Sequence, residues 1–297
     1  MSSKHQTPIR LIRPASRETD NILAAHLKDL EENGFIVSQS HHGQDPSWKY
    51  TSGSYEDRLS ELSEALQDKN TSNLLCARGG YGVSDLLAGL PWSKLRQISP
   101  KTIVGFSDIS ALHSAVYAIL GWPSIHGPMP SMDYWRIGSQ DVSTLKGLLK
   151  GDIETGDIGL ANSSNASISG QLFGGCLSVL TCLIGTPYFP TSLENHIIFL
   201  EDIGESPPKI QRYLNQWLHS DALKNARAIV FGAFVNCGDP RELEIVFNRL
   251  SDISGIPVMY SKDFGHQEFN MPLPIGGTAE INGNKLSWKI QKQEKMV

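Results

Sequence analysis

Thr102-Ile103-Val104-Gly105-Phe106-Ser107-Asp108-Ile109, with the mostly apolar stretch that runs on to Leu120, reads as a short strand turning sharply into a helix with a hydroxyl at the bend. Such a turn holds a side chain exposed at a strand end, and the backbone N–H groups of the helix start point at the same place. A hydrolase with Ser107 as nucleophile is the leading expectation. The same string also fits a serine that caps the helix beginning at Asp108. Ile109 stands where the G-x-S-x-G elbow has its second glycine, which disfavours hydrolases of the lipase type.

Upstream of this turn the chain alternates between two periodicities. Ile9 to Ile12, Phe35 to Val37 and Asn73 to Ala77 are short apolar runs that read as strands. Asp20 to Glu32 and Tyr55 to Leu66 repeat apolar residues at helical spacing. Strands separated by helices predict a parallel sheet covered on both faces, with ligands beyond the carboxyl ends of the strands. Arg78-Gly79-Gly80-Tyr81-Gly82 and Ser107 both fall there. The glycine-rich segment is either a plain tight turn or a loop whose N–H groups, from Gly79 or Gly80, complete an oxyanion hole opposite the Asp108 N–H. Arg78 and Tyr81 are the substrate-binding candidates, Arg78 for a carboxylate.

Downstream, the pattern weakens between Met129 and Asn165 around one helix-like stretch, Val142 to Leu149. Three regions are expected: an α/β domain over 1–130, a crossover over 131–165, and a second domain over 166–297. The last contains strand-like runs at 168–173, 196–201, 228–231, 257–260, 278–281 and 285–290. It also contains helices at 207–218 and 240–250, both opening on proline, where a missing N–H costs nothing.

A serine nucleophile needs a base and a group to orient it. His266, in the turn Asp263-Phe264-Gly265-His266-Gln267-Glu268, and the strand end Leu200-Glu201-Asp202 supply candidates. Adjacent strand residues point to opposite faces, so periodicity alone does not choose between Glu201 and Asp202. His126 is a second histidine that could line the site, whereas His113 is carried away along the helix.

Composition narrows the field. A chain of 297 residues has room for two medium domains, and its 40% hydrophobic share argues against disorder. The net charge of −5, with Lys and Arg scattered, gives no footprint for nucleic acid or an anionic membrane. Nothing approaches the roughly 20 apolar residues of a membrane span, and Met1 to Ser16, with Lys4, Arg10 and Arg13, lacks a signal-peptide core. Cys76, Cys176, Cys182 and Cys237 have no paired spacing and read as buried free thiols, which points to the cytoplasm. Neither a metal motif nor a nucleotide-binding glycine motif is present, and no cofactor is expected.

Taken together, Ala77-Arg78-Gly79-Gly80-Tyr81-Gly82, Gly105-Phe106-Ser107-Asp108-Ile109 and His126-Gly127-Pro128-Met129 resemble the LD-carboxypeptidase family of serine peptidases. Gly174-Gly175, Leu183-Ile184-Gly185-Thr186-Pro187, Leu200-Glu201-Asp202, Phe264-Gly265-His266 and Leu273-Pro274-Ile275-Gly276 continue the resemblance in the family's order. It implies an N-terminal α/β domain carrying the nucleophile and a C-terminal domain with a β-rich, barrel-like part. It maps the nucleophile to Ser107, the base to His266 and the orienting acid to Glu201, deciding what periodicity left open.

The implied activity is removal of the terminal D-alanine from murein tetrapeptides during cytoplasmic cell-wall recycling, by a homodimer. Two further readings are an amidase of aminoacyl-nucleotides with the same triad, for which Trp135 is a candidate aromatic contact, and a non-catalytic muropeptide-binding protein. Two departures from the family pattern stand out. Cys176 replaces the usual asparagine after the paired glycines, and Arg13-Pro14-Ala15-Ser16 replaces a commoner Ala-Pro-Ser at the rim.

Overall fold

A computed structural model describes residues 6–18, 22–40, 48–132 and 134–291. The expected helix start at Asp20 and the cation Lys4 lie outside the described residues.

In chain order the first lobe runs β1 (Thr7–Ile12), α1 (Ile22–Glu32), β2 (Phe35–Gln39), α2 (Tyr55–Gln67), β3 (Asn73–Cys76), α3 (Val83–Leu86), α4 (Trp92–Leu95), β4 (Thr102–Gly105), α5 (Ser110–Leu120) and β5 (Ser124–His126). After α6 (Gln140–Lys150) come β6 (Thr155–Cys176), α7 (Leu177–Thr181), β7 (His196–Ile203), α8 (Pro207–His219), β8 (Ala228–Val235), α9 (Pro240–Ser254), β9 (Val258–Gly265), β10 (Leu273–Ile275) and β11 (Thr278–Lys289).

The first sheet has the order β10-β5-β4-β3-β1-β2, parallel throughout except for β10. From β1 the chain moves outward to β2 and then back across to β3, so right-handed crossovers put α1 and α2 on opposite faces. The direction of winding changes between β1 and β3. The loops that follow these two strands therefore open the crevice where such sheets bind ligands.

Apolar strands explain this placement. Leu74, Leu75 and Cys76 of β3 and Ile103 and Val104 of β4 are fully buried, as expected of central parallel strands covered on both faces. On α2 the buried stripe is Arg58, Glu61, Leu62, Ala65 and Leu66, so two charged residues share the core-facing side.

The second sheet has the order β11-β6-β7-β8-β9, with β6 to β9 parallel and β11 antiparallel to β6. The first half of β6 swings round to the opposite edge. There Asn162 donates to Val258 O at 2.9 Å and accepts from Tyr260 N at 3.0 Å, and Gly159 N donates to Asp263 Oδ2 at 2.7 Å. The sheet thus curls into a nearly closed barrel.

Thr155 to Asn165 forms strand where the sequence reading has crossover. Its Asp, Gly, Asn and Ser residues are poor strand formers, and only Ile158 and Leu160 mark the buried face. The runs at 278–281 and 285–290 are one strand, β11, whose register shifts on either side of Gly283. The lobes are stitched together because β10, late in the chain, pairs with β5 of the first sheet, Leu273 opposite His126.

Among the described residues no helix is long and apolar enough to cross a membrane. Cys76, Cys176 and Cys237 are buried free thiols, but Cys182 is exposed, a correction to the expectation. It directly follows the last turn of the short helix α7, on the side away from the core.

Candidate active site

Ser107 follows β4 by two residues and has φ 62°. The other non-glycine residues with positive φ among the described ones are Asn195, Asp221, Asn225 and Asn236. Those residue types tolerate the left-handed region through local hydrogen bonds, whereas serine is held there at a cost of about 1–3 kcal/mol. The tightness of the turn shows at Gly105, where a Cβ would stand 2.9 Å from the Ile109 side chain. A 3-10 turn, Ser107–Ile109, then leads into α5.

The glycine-rich loop passes directly over this serine. A Cβ on Gly79 would lie 2.8 Å from Ser107 Cβ and 3.1 Å from its Oγ. Gly80, at φ 110°, packs against Ser16 in the loop after β1. Ser16 N donates to Gly79 O at 3.2 Å, and Tyr81 N donates to Ser16 Oγ at 3.1 Å.

Two carboxylates and a buried cation hold the loop from behind. Val83 N donates to Asp108 Oδ2 at 2.9 Å, so the residue after the serine grips the loop's far end. Burial raises the Asp108 carboxyl to about 6, against the opposing pull of the Val83 N–H. Arg58 Nη1 donates to Gly82 O at 2.7 Å and Pro14 O at 2.9 Å, and its guanidinium pairs with Asp85 at 3.6 Å. The sequence reading missed Arg58, whose signal was its place on the apolar stripe of α2. Arg78 donates to Arg17 O at 3.4 Å and is half-buried.

The second lobe brings a histidine and a carboxylate to the same region. His266 follows the last residue of β9, Gly265, which has φ 116° and where a Cβ would stand 3.1 Å from Glu201 Cβ, so the strand end lies close against Glu201. His266 Nδ1 lies 2.6 Å from Glu201 Oε2, with the imidazole 5% exposed and the glutamate fully buried. The imidazole packs against Phe106, the residue before Ser107, with ring centroids 4.9 Å apart. Burial alone would lower the His266 pKa, but the Glu201 carboxylate, helped by Asp202, outweighs it and raises the pKa above the ordinary value.

Glu201 and Asp202 are separated by their partners as well as by face. A register shift between Leu200 and Asp202 interrupts the β7–β8 ladder. Glu201 turns to His266, whereas Asp202 accepts from Ser178 N at 2.8 Å and Ile203 N at 2.8 Å, capping the start of α7. Cys176, across the ladder from Glu201, donates its N–H to Ser110 Oγ at 2.9 Å.

Two further residues fix the histidine turn and carried no sequence signal strong enough to single them out. Asn270 Oδ1 accepts from Gly265 N at 3.0 Å, and Asn270 N donates to Asp141 Oδ2 at 2.9 Å, which reaches over from the start of α6. His126 lies behind the site rather than on its surface, buried among Phe106, Phe199 and Phe264. Burial drives it and His113 to low pKa, so both stay neutral near pH 7. Trp135 is 2% exposed and packs against His26, which leaves no open face for a nucleobase.

A strained serine under a glycine loop, with a buried carboxylate–imidazole pair from another lobe packed against the residue before it, is an arrangement that suits a serine-type hydrolase. The sequence takes this further. The profile of the LD-carboxypeptidase N-terminal domain matches residues 9–127, and that of the LD-carboxypeptidase C-terminal domain matches residues 169–281. The murein tetrapeptide carboxypeptidase of Pseudomonas aeruginosa is 32% identical over 296 residues, 94% of each chain. The crystal structure of muramoyltetrapeptide carboxypeptidase from Oxalobacter formigenes superposes with a TM-score of 0.84 at 26% identity, covering 97% of this chain and 100% of that one. A microcin C7 self-immunity protein has the same fold, with a TM-score of 0.85 at 21% identity and 97% of each chain covered. The chain belongs to the LD-carboxypeptidase family and is a serine-type carboxypeptidase.

Proposed function

We propose that the chain hydrolyses the bond before the C-terminal D-alanine of murein tetrapeptides, through an acyl-enzyme on Ser107. The observation that carries this is the 2.6 Å contact between His266 Nδ1 and Glu201 Oε2, set against Phe106 beside the strained serine. In this reading Glu201 fixes the imidazole with Nε2 as acceptor. His266 takes the Ser107 proton as Oγ attacks the peptide carbonyl and then gives it to the departing amine of D-alanine. Water, deprotonated by the same imidazole, releases the shortened peptide.

The developing oxyanion would meet the Asp108 N–H and an N–H from Gly79 or Gly80, each such donor being worth about 2.7–4 kcal/mol. Arg78, on the same loop, is assigned to the free carboxylate of the substrate, and Tyr81 to the substrate's body. The segment before β6, 131–154, separates the lobe with the nucleophile from the lobe with the base and acid. The names of the relatives, a murein tetrapeptide and a muramoyltetrapeptide carboxypeptidase, support the substrate class. A cytoplasmic recycling role and a homodimer complete the reading.

The test is mass spectrometry of a muropeptide tetrapeptide incubated with the protein. Free D-alanine together with the tripeptide is expected. An intact tetrapeptide, with cleavage of an aminoacyl-sulfamoyl adenylate instead, would reassign the substrate.

A further inference from the structure

The large aromatic side chains that stand exposed among the described residues are Trp48, Tyr50, Tyr55 and Tyr81, at 47%, 56%, 41% and 46%. All four fall on two segments, 48–55 and 81, that border the glycine loop over Ser107. Three of them touch. The Trp48 and Tyr50 rings lie 5.0 Å apart at 53°, and those of Trp48 and Tyr81 lie 6.4 Å apart at 60°.

The rings sit on a built support. Thr51, Ser52 and Gly53, which follow Tyr50, are buried. Ser52 N donates to Ala15 O at 3.0 Å and Ser52 Oγ to Arg13 O at 2.5 Å, tying this segment to the loop after β1. A Cβ on Gly82 would stand 2.8 Å from Thr51 Cγ2, so the segment also packs directly on the glycine loop. Tyr81 is fixed at both ends, by its N–H to Ser16 Oγ and by its hydroxyl to Asp85 Oδ1 at 3.3 Å. Leaving such rings in water has an energetic cost that an occupant would recover.

We propose that Trp48, Tyr50 and Tyr81 form a subsite for the sugar ring of a glycan-bearing muropeptide. The assignment rests on the tetrapeptide reading above. Distance agrees with it. Tyr81 is two residues, at most about 7 Å, beyond Gly79, which itself lies over Ser107, and Trp48 stands one ring contact further. On the acyl side of the scissile bond a muramoyl tetrapeptide has three residues, about 10–11 Å when extended, and then the sugar.

Shape agrees as well. Rings tilted at 53° and 60° form an open corner rather than a parallel slot. A pyranose lays its C–H face on such a corner and keeps its hydroxyl and amide edges in water, whereas a flat base is best held between parallel faces. Rigid, amphipathic Tyr and Trp side chains supply this contact at low entropic cost.

The test compares kcat/KM for free tetrapeptide and muramoyl tetrapeptide in wild type, Trp48→Ala, Trp48→Phe and the Trp48→Ala/Tyr50→Ala pair. It adds Kd values for both ligands in Ser107→Ala protein, where no turnover interferes. Wild type should favour the sugar-bearing substrate, and each lost ring should cut that preference by about threefold to tenfold, with Trp48→Phe retaining most of it. In the Ser107→Ala background Trp48→Ala should weaken muramoyl tetrapeptide more than free tetrapeptide. Equal handling of the two substrates by an active wild type, or a preference that survives the double substitution, would overturn the subsite alone. Adenosine monophosphate binding more tightly than muramoyl tetrapeptide, and lost in Trp48→Ala, would overturn the sugar in favour of a base. D-Alanine released from neither substrate would instead sink the tetrapeptide reading, and the subsite with it.

Discussion

Gly79 lies so close over Ser107 that a Cβ on it would stand 2.8 Å from the serine Cβ and 3.1 Å from the hydroxyl oxygen. Only a residue without a side chain lets the loop backbone reach the place where an oxyanion would form. Gly79→Ala must lift the loop by several tenths of an ångström, enough to misplace a donor. The expected result is a fall in kcat of about 10²–10³ in a protein that still melts cooperatively. Steady-state kinetics beside a thermal melt checks this, and an active Gly79→Ala protein would contradict it.

Neighbouring carboxylates should give opposite phenotypes. Glu201→Gln removes the partner of His266 while keeping shape, so kcat should drop by about 10³–10⁴ with the fold intact. Asp202→Ala leaves the N–H groups of Ser178 and Ile203 without their acceptor and should cost about 1–3 kcal/mol of stability, with a smaller effect on kcat. Denaturant melts and kinetics on both variants separate the roles.

Proton binding at His266 carries a defined sign. Its pKa is raised above 6.5 because the Glu201 carboxylate outweighs burial. A base must be neutral to act, so the acid limb of kcat/KM should have its midpoint above pH 6.5. The same raised value contributes stability that is fully present below the unfolded histidine pKa and is lost as pH rises through the folded one. In Glu201→Gln, only Asp202 still opposes burial, and the His266 imidazole should titrate lower than in wild type by NMR. An unchanged titration would mean that Glu201 does not set the pKa.

Asp108 shows the reverse linkage. Burial raises its carboxyl from 3.8 to about 6, so ionisation destabilises the fold above that range and not below pH 3.8. Asp108→Asn keeps an acceptor for the Val83 N–H and removes the buried charge. Its stability relative to wild type should therefore be higher at pH 8 than at pH 4, by up to about 3 kcal/mol. Denaturant melts at the two pH values measure the difference, and a pH-independent gap would contradict it.

The sequence revealed those parts of the fold that have strong local periodicity. Ile103-Val104 before Gly105, and the helical spacing along α2, announce themselves because buried central strands and one-sided helices leave patterns that composition cannot hide. Thr155 to Asn165 stayed hidden because it is a strand built from Asn, Ser and Gly, held by the Asn162 side chain against the backbone of the opposite edge rather than by its own propensity. Periodicity alone did not choose between Glu201 and Asp202, because which of the two meets His266 depends on how the ladder is paired and not on either residue's own strand pattern. Arg58 and Asp141 support the site through backbone contacts 24 and 129 residues away in sequence, and such contacts leave no local mark.

If Ser107 carries the acyl group, D-alanine release from a muropeptide tetrapeptide, followed by mass spectrometry for wild type and Ser107→Ala protein, depends on that hydroxyl. Release by wild type and none above background by a folded Ser107→Ala is the predicted result. Undiminished release by Ser107→Ala would mean that another group carries the acyl chain or that none does.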